Sequence, residues 1–361
     1  MKKIRLGIAA LLSAAAGISP VHAKTMFLGG YPDEIMVLDD QTGAITQKIK
    51  LDAGLPVSMT LSDDNKLLYI TTITSSGIAV IDVATKKVIN SFQLDTPSTR
   101  YRFSGGVPDS TGRYFYIVAE RIDKLNDRYR IHDQAFMVVD LQQKKIVREV
   151  PVSSDDDVPA YRTRLMLSPD NKKLYVVGKK VLVLDTATLK TIDTLDPGED
   201  LPEMTDVEFG RGIDRIVEPG QFVAPYTAED KFIHNKIFGI GRFDLASQQF
   251  TFDPIGHAAD TIAGVQVSPD GKKAYLVAEN GKYGNQTCEF QAFDVATHLM
   301  TNQASFPCRR RFYFSMSADG SKLYIYGAGY DVAVYDAATL QPLADWQLSD
   351  DTTMSGMVIP Q

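Results

Sequence analysis

The chain has 361 residues, with 38 Lys and Arg against 45 Asp and Glu, a formal charge of −7. This acidic balance disfavours phosphate backbones and anionic lipid as general partners. Two cysteines, Cys288 and Cys308, exclude a Cys-x-x-Cys centre, a Cys-x-x-Cys-His haem attachment and a multi-cysteine zinc site.

Residues 1–23 read as a secretory signal peptide: a basic start (Lys2, Lys3, Arg5), an apolar run from Ile4 to Ile18, and a Val21-His-Ala23 cleavage site. The run is shorter than the roughly 20 apolar residues that span a bilayer, and no charged stop-transfer patch follows it. A mature chain starting at Lys24 carries 35 Lys and Arg against 45 Asp and Glu. The expected compartment is the periplasm, and residues 24–361 are expected to form one domain.

Two elements repeat along that domain. The first is a strand, a Ser-Pro-Asp-Gly-like turn and a second strand, at Leu61–Ile70, Leu167–Val176, Val267–Leu276 and Met316–Ile325, with a weaker copy at Pro108–Ile117. The second is an apolar strand ending in Asp, then a turn usually of the form Asp-x-x-Thr, then an alternating strand. Its aspartates are Asp39, Asp82, Asp140, Asp185, Asp244, Asp294 and Asp336, spaced 42 to 59 residues apart. Asp and Thr suit such a turn because their side-chain oxygens accept from its own backbone N–H groups.

Each repeat therefore encodes two hairpins, and a four-stranded sheet this small must stack on neighbours to bury both faces. The expected fold is all-β: a seven-bladed β-propeller of four-stranded antiparallel blades. An open solenoid is the alternative, and the chain ends oppose it. The first repeat lacks an inner strand, and one spare strand, Met354 to Ile359, follows the last. That C-terminal strand is expected to close the ring and remove its edges.

Labelling strands A to D from the axis outwards, the A–B and C–D turns fall on one face and the B–C and D–A connections on the other. The repeated turns are expected to stay short. Length varies at Arg121–Asp133, Ala228–His234 and Asn280–Thr287 between strands B and C, and at Asp95–Tyr101 and Ser153–Tyr161 between blades. Loops carry function on a fixed scaffold, so the elaborated face is the expected working surface. Tyr101, Arg121, Tyr161, Tyr226 and Arg309 are the expected partner or cavity contacts.

A hairpin centred near His298 places Cys288 and Cys308 opposite each other, which predicts a disulfide. Catalytic sets are absent from the pattern: there is no Gly-x-Ser-x-Gly elbow and no phosphate loop. The histidines lack ligand spacing, so no metal site is expected. Asp155, Asp156 and Asp157 form the one carboxylate run, read as a solvated loop rather than a calcium site. Trp346 and the recurring Tyr69, Tyr116, Tyr175, Tyr275 and Tyr324 read as packing residues.

The order of irregular features is more specific than the repeat. Ile35-Met-Val-Leu-Asp39, Asp95-Thr-Pro-Ser98, a long third-blade insertion, Ala224-Pro-Tyr-Thr-Ala228, Val334-Tyr-Asp-Ala-Ala-Thr-Leu340 and Met354-Ser-Gly-Met357 together resemble the β subunit of quinohemoprotein amine dehydrogenase. The resemblance covers residues 25–359. It implies a non-catalytic propeller in a periplasmic heterotrimer that oxidatively deaminates primary amines. Haem c would sit in a dihaem cytochrome c subunit and cysteine tryptophylquinone in a small subunit, leaving no cofactor in this chain. The cysteine pair departs from that family's pattern. The competing expectations are a stand-alone periplasmic binder or scaffold, and a calcium-dependent hydrolase with carboxylates such as Asp206 and Glu208 near the axis.

Overall fold

The computed structural model describes residues 25–158, 163–210, 218, 220–259, 261–281, 284–309 and 311–360. Its strands form seven antiparallel sheets, and a short 3-10 helix, Pro197–Asp200, lies in one link. The sixth blade shows the full pattern: Thr261–Val267, Lys273–Asn280, Thr287–Asp294 and Leu299–Phe306 pair in sequence order. In the third blade the inner position is divided between Thr99–Arg102 and Val107–Pro108, both paired to Tyr114–Lys124.

Strands B and C are unbroken apolar runs because both of their faces are buried. In Glu34–Asp39, Ile35 and Val37 pack with Leu68, Ile70, Ala79 and Ile81 of the second blade. Met36 and Leu38, pointing the other way, pack with Tyr324, Val332 and Val334 of the seventh. Seven such clusters occur, each shared by two adjacent blades. Every fully buried Leu, Ile or Val contributes roughly 1.5–3 kcal/mol. Outer strands are less buried than strands B and C: Pro342–Gln347 is largely exposed, and Lys87–Gln93 is half-buried, with Gln93 bonded to Asp52 O of the first blade and Asn90 to Leu141 O of the third.

The ring closes as the chain ends suggested. Thr352–Val358 fills the inner position of the first blade, with Phe27 opposite Val358 and Leu28 opposite Met357. It begins two residues before the expected strand and ends one before. The pairing slips between Leu28 and Gly30, and Gly29 makes that approach feasible. A Cβ there would lie 2.2 Å from Ser355 Oγ and 2.3 Å from Thr353 Oγ1.

All seven C–D turns share one geometry. The residue four after the aspartate has a positive φ: Gly43, Lys86, Lys144, Leu189, Gln248, His298 and Leu340. Its N–H donates to the aspartate's carbonyl at 2.7–3.0 Å. The Asp82, Asp185 and Asp294 carboxylates also accept from the hydroxyl and N–H of Thr85, Thr188 and Thr297. Those bonds, the hydroxyl's first, hold the three carboxyls below their usual range.

One expectation about this face needs correcting. The fifth blade's A–B connection runs from Gly210 to Gly220, between Met204–Phe209 and Gln221–Asp230, and is not a short turn. Most of it lies outside the described residues.

Candidate functional site

On the opposite face the third blade carries the longest strands among the described residues. The segment Arg121–Asp133, expected as a loop, is mostly regular: Tyr114–Lys124 and Tyr129–Asp140 form one long hairpin around a turn at residues 125–128. Alternation of Tyr129, Ile131 with Arg128, Arg130 and His132 is the β pattern that the insertion's length obscured. Thr99–Arg102 adds a third strand, so Tyr101 lies within a sheet and directly opposite Arg121.

One side of this extension carries a polar cluster. Asp123 accepts from Arg121 Nε at 3.0 Å and from Thr99 Oγ1 at 3.0 Å, and lies 2.8 Å from His132 Nε2. The His132 contact, with help from Arg121 and Thr99, outweighs burial and holds Asp123 at about 2. Asp123 in turn raises Arg121. The Tyr101 N–H donates to Ser76 Oγ at 3.0 Å and to Asp95 Oδ1 at 3.3 Å, tying the strand to the second blade. Its half-buried side chain packs against the apolar cluster shared by the second and third blades, and burial raises the phenol.

A second cluster sits where the sixth blade passes to the seventh. Cys288 and Cys308 are disulfide-bonded with Cα atoms 5.1 Å apart. The cross-strand partner of Cys288 is Phe306, so the bond reaches two residues past the hairpin and anchors the D–A link. Arg309, next in that link, pairs both guanidinium Nη atoms with the Asp331 carboxylate. Burial, and then Asp331, raise the nearby Asp345 carboxyl.

The other expected contacts fare differently. Tyr226 is 1% exposed and packs edge-on against Phe252 in the fifth blade. Burial pushes its phenol up to about 12. It therefore presents no surface to a partner; an aromatic off the repeat pattern was filling space left by Gly239. Tyr161 lies outside the described residues. Asp156 accepts from Thr191 Oγ1 at 2.8 Å. His234 pairs with Glu229 in its own blade, at 2.9 Å. Among the described residues no group of three His, Cys, Asp or Glu is placed to hold a metal. Trp346 and the five strand-B tyrosines are buried.

Sequence reasoning missed the apolar character of this face. Thirteen large apolar side chains are exposed among the described residues. Seven lie on or beside B–C turns: Tyr31, Ile73, Tyr129, Ile131, Phe232, Ile233 and Tyr330. The other six lie within the first three residues of outer strands, beside C–D turns, so the contrast is on the turns themselves: five of these side chains sit on B–C turns and none on an A–B or C–D turn. Phe232 and Ile233 are 75% and 74% exposed on a turn whose N–H groups donate to Asp230 Oδ1. The signal was present in Lys231-Phe-Ile-His234, an apolar pair in a polar turn.

Seven closed blades, one face of carboxylate-locked turns and one face with apolar tips define a seven-bladed β-propeller whose surface features are one-sided. No family model matches the chain, and no curated protein matches it. Solved structures match in fold. A functionally unknown protein from Desulfotomaculum acetoxidans DSM 771 is 12% identical with a TM-score of 0.54, over 93% of this chain and 98% of that one. Dihydro-haem d1 dehydrogenase NirN, in complex with DHE, is 12% identical with a TM-score of 0.53, over 93% and 75%. Apo AztD from Citrobacter koseri is 13% identical with a TM-score of 0.51, over 94% and 99%. Identities this low establish likeness of fold alone.

Proposed function

We propose that this chain is the non-catalytic propeller subunit of a periplasmic quinohemoprotein amine dehydrogenase, with its elaborated face seating the cytochrome c and quinone-bearing subunits. The observation that carries the reading is the one-sided distribution of exposed apolar side chains. Exposed apolar side chains recur at the B–C ends of five of the seven blades, and apolar side chains brought together on one surface mark protein interfaces. The resemblance along residues 25–359 supplies the partners' identity. A propeller that binds a haem compound, the NirN complex, belongs to the same fold class.

Both cysteines are joined to each other. Neither is then free for a haem thioether or a quinone crosslink, so in this reading both cofactors belong to partners, and the ring orients them and excludes water. Purification of the tagged chain from its native periplasm tests it. We expect co-elution with a c-type haem Soret band and a quinone-staining small subunit, with amine-dependent haem reduction. Elution as a single haem-free chain would leave a stand-alone scaffold as the better description.

A further inference from the structure

The third-blade hairpin ends in an open strand edge. The outer strand of that blade, Lys145–Pro151, pairs with Ala135–Asp140 and stops. Its last contact is Val152 N–H donating to Gln134 O at 2.9 Å. Beyond that point no strand of the described residues flanks Tyr129–Asp133 on its outer side.

Backbone direction follows from the bonds that are made. Lys124 N–H donates to Ser98 O, and Leu125 N–H to Arg128 O, both at 2.8 Å. Lys124 thus points its peptide groups to the inner strand, so its partner Tyr129 points its own N–H and C=O outwards. Ile131, opposite Ile122, does the same two residues on. Arg130 faces inward, opposite Asp123.

The side chains along this edge alternate in character. Tyr129 and Ile131 stand on one face, 66% and 68% exposed. Arg128 and Arg130 stand on the other. Arg128 meets only its neighbour Asp127, at 3.0 Å. Arg130, and Lys124 at the hairpin tip, pair with no carboxylate among the described residues. A strand laid here would set apolar side chains against Tyr129 and Ile131, and carboxylates against Arg128 and Arg130.

We infer that the edge Arg128–Ile131 is a strand-addition site for an extended segment of a partner protein in which acidic and apolar residues alternate. Main-chain bonds to Tyr129 and Ile131 give affinity, and the two arginines select against basic segments. Edges meant only to be protected carry charge or a bulge. This one has the bulge, at His132–Asp133, but leaves two large apolar side chains in water beside Arg130, which pairs with no carboxylate among the described residues.

The inference rests on the reading that this face seats a partner, and the test separates the two. The probe is a short synthetic peptide alternating Glu and Val, with a Lys-Val peptide as control, titrated into the full chain by fluorescence anisotropy. Binding of the Glu-Val peptide should weaken as salt rises. Ile131→Pro removes an outward donor without breaking the hairpin's own ladder; it should weaken binding by about tenfold. Arg130→Glu should reverse the preference between the peptides while leaving the melting temperature unchanged.

Equal binding of both peptides, no binding, or a concentration-dependent dimer abolished by Ile131→Pro would overturn the inference, the last because a second copy would own the edge. If partners co-purify equally with Ile131→Pro and with the unaltered chain, the edge inference falls and the seat stands. If the peptide binds as expected but nothing co-purifies, the edge stands and the amine dehydrogenase reading falls.

Discussion

On the face of the A–B and C–D turns a carboxylate closes almost every connection. Asp82, Asp185 and Asp294 accept from the Thr three residues on, while Asp64, Asp170 and Asp270 accept from the Ser two residues before, at 2.6–2.8 Å. On the B–C and D–A face the same strands end in turns of varied length tipped by Tyr31, Phe232 and Tyr330. A ring needs its hairpins held in register only once per blade, and one face does this by local bonding. The other is then free to vary, because its turns are not what holds the blades.

The division predicts where acid acts first. The Ser hydroxyls hold Asp64, Asp170 and Asp270 below the usual carboxylate range, Asp64 at about 2, and the Thr contacts do the same for Asp82, Asp185 and Asp294. A depressed folded value means stability that is present above the unfolded value of 3.8 and lost as pH falls through the folded one. Individual exposed groups contribute little, but these act in pairs on the second, fourth and sixth blades, and Asp39, Asp140, Asp244 and Asp336 in the C–D turns of the others are lowered as well. We expect melting temperature to hold from neutrality to about pH 4 and to fall steeply towards about pH 2. Hydrogen exchange should show uniform-face amides opening ahead of the second-blade B–C turn, which the Thr72 and Ser75 hydroxyls tie to the Ala53 carbonyl. Loss confined to the elaborated face would break the comparison.

The disulfide is the exception that sharpens it, since Cys288–Cys308 lies on the elaborated side. Its ends are 20 residues apart, a closure worth about 3 kcal/mol. Replacing both cysteines with Ser should lower stability by about that amount in denaturant titrations and release Arg309 from Asp331. A cost near zero would mean that blade packing alone fixes the link.

The seam between the first and seventh blades gives a third test, of smaller size. Lys322 Nζ donates to the Asp40 and Gln41 carbonyls at 3.1 Å, and Gly43 lies under the Trp346 indole. A Cβ on Gly43 would sit 2.1 Å from that ring, at a φ of +71°. Gly43→Ala should cost about 1–3 kcal/mol by overpacking. An unchanged melting temperature would show that the C–D turn of the first blade shifts freely.

How much of this was legible follows from periodicity. The seven aspartates of the C–D turns gave the blade count, and the unmatched strand after Asp336 gave the closure, because unpaired edges must be filled. The disulfide was readable from hairpin spacing, though Cys288 actually faces Phe306 and bonds past it. The site was harder. Tyr226 departs from the repeat, but a residue breaks a repeat equally well to fill a cavity as to meet a ligand, and only its burial distinguishes the two. Phe232 and Ile233 escaped notice because apolar residues in a sequence are counted first as core, and exposure is a property of the turn that carries them. The hairpin edge at Tyr129 was hidden because strand neighbours across blades are not encoded locally.

The smallest expected effect is also the clearest separation of the two faces. His298 has φ +60° in the sixth C–D turn, and its N–H donates to Asp294 O at 3.0 Å. An L residue pays in strain there, roughly 1–2 kcal/mol, and glycine avoids it at some cost in chain entropy. His298→Gly should therefore raise stability by up to about 1 kcal/mol, read as a small rise in melting temperature. Its imidazole is exposed on the uniform face, so recovery of any co-purifying partner should not change. Loss of partners without loss of stability would place function on the face assigned here to structure, because the turn's geometry accounts fully for a left-handed residue and leaves its side chain no other task.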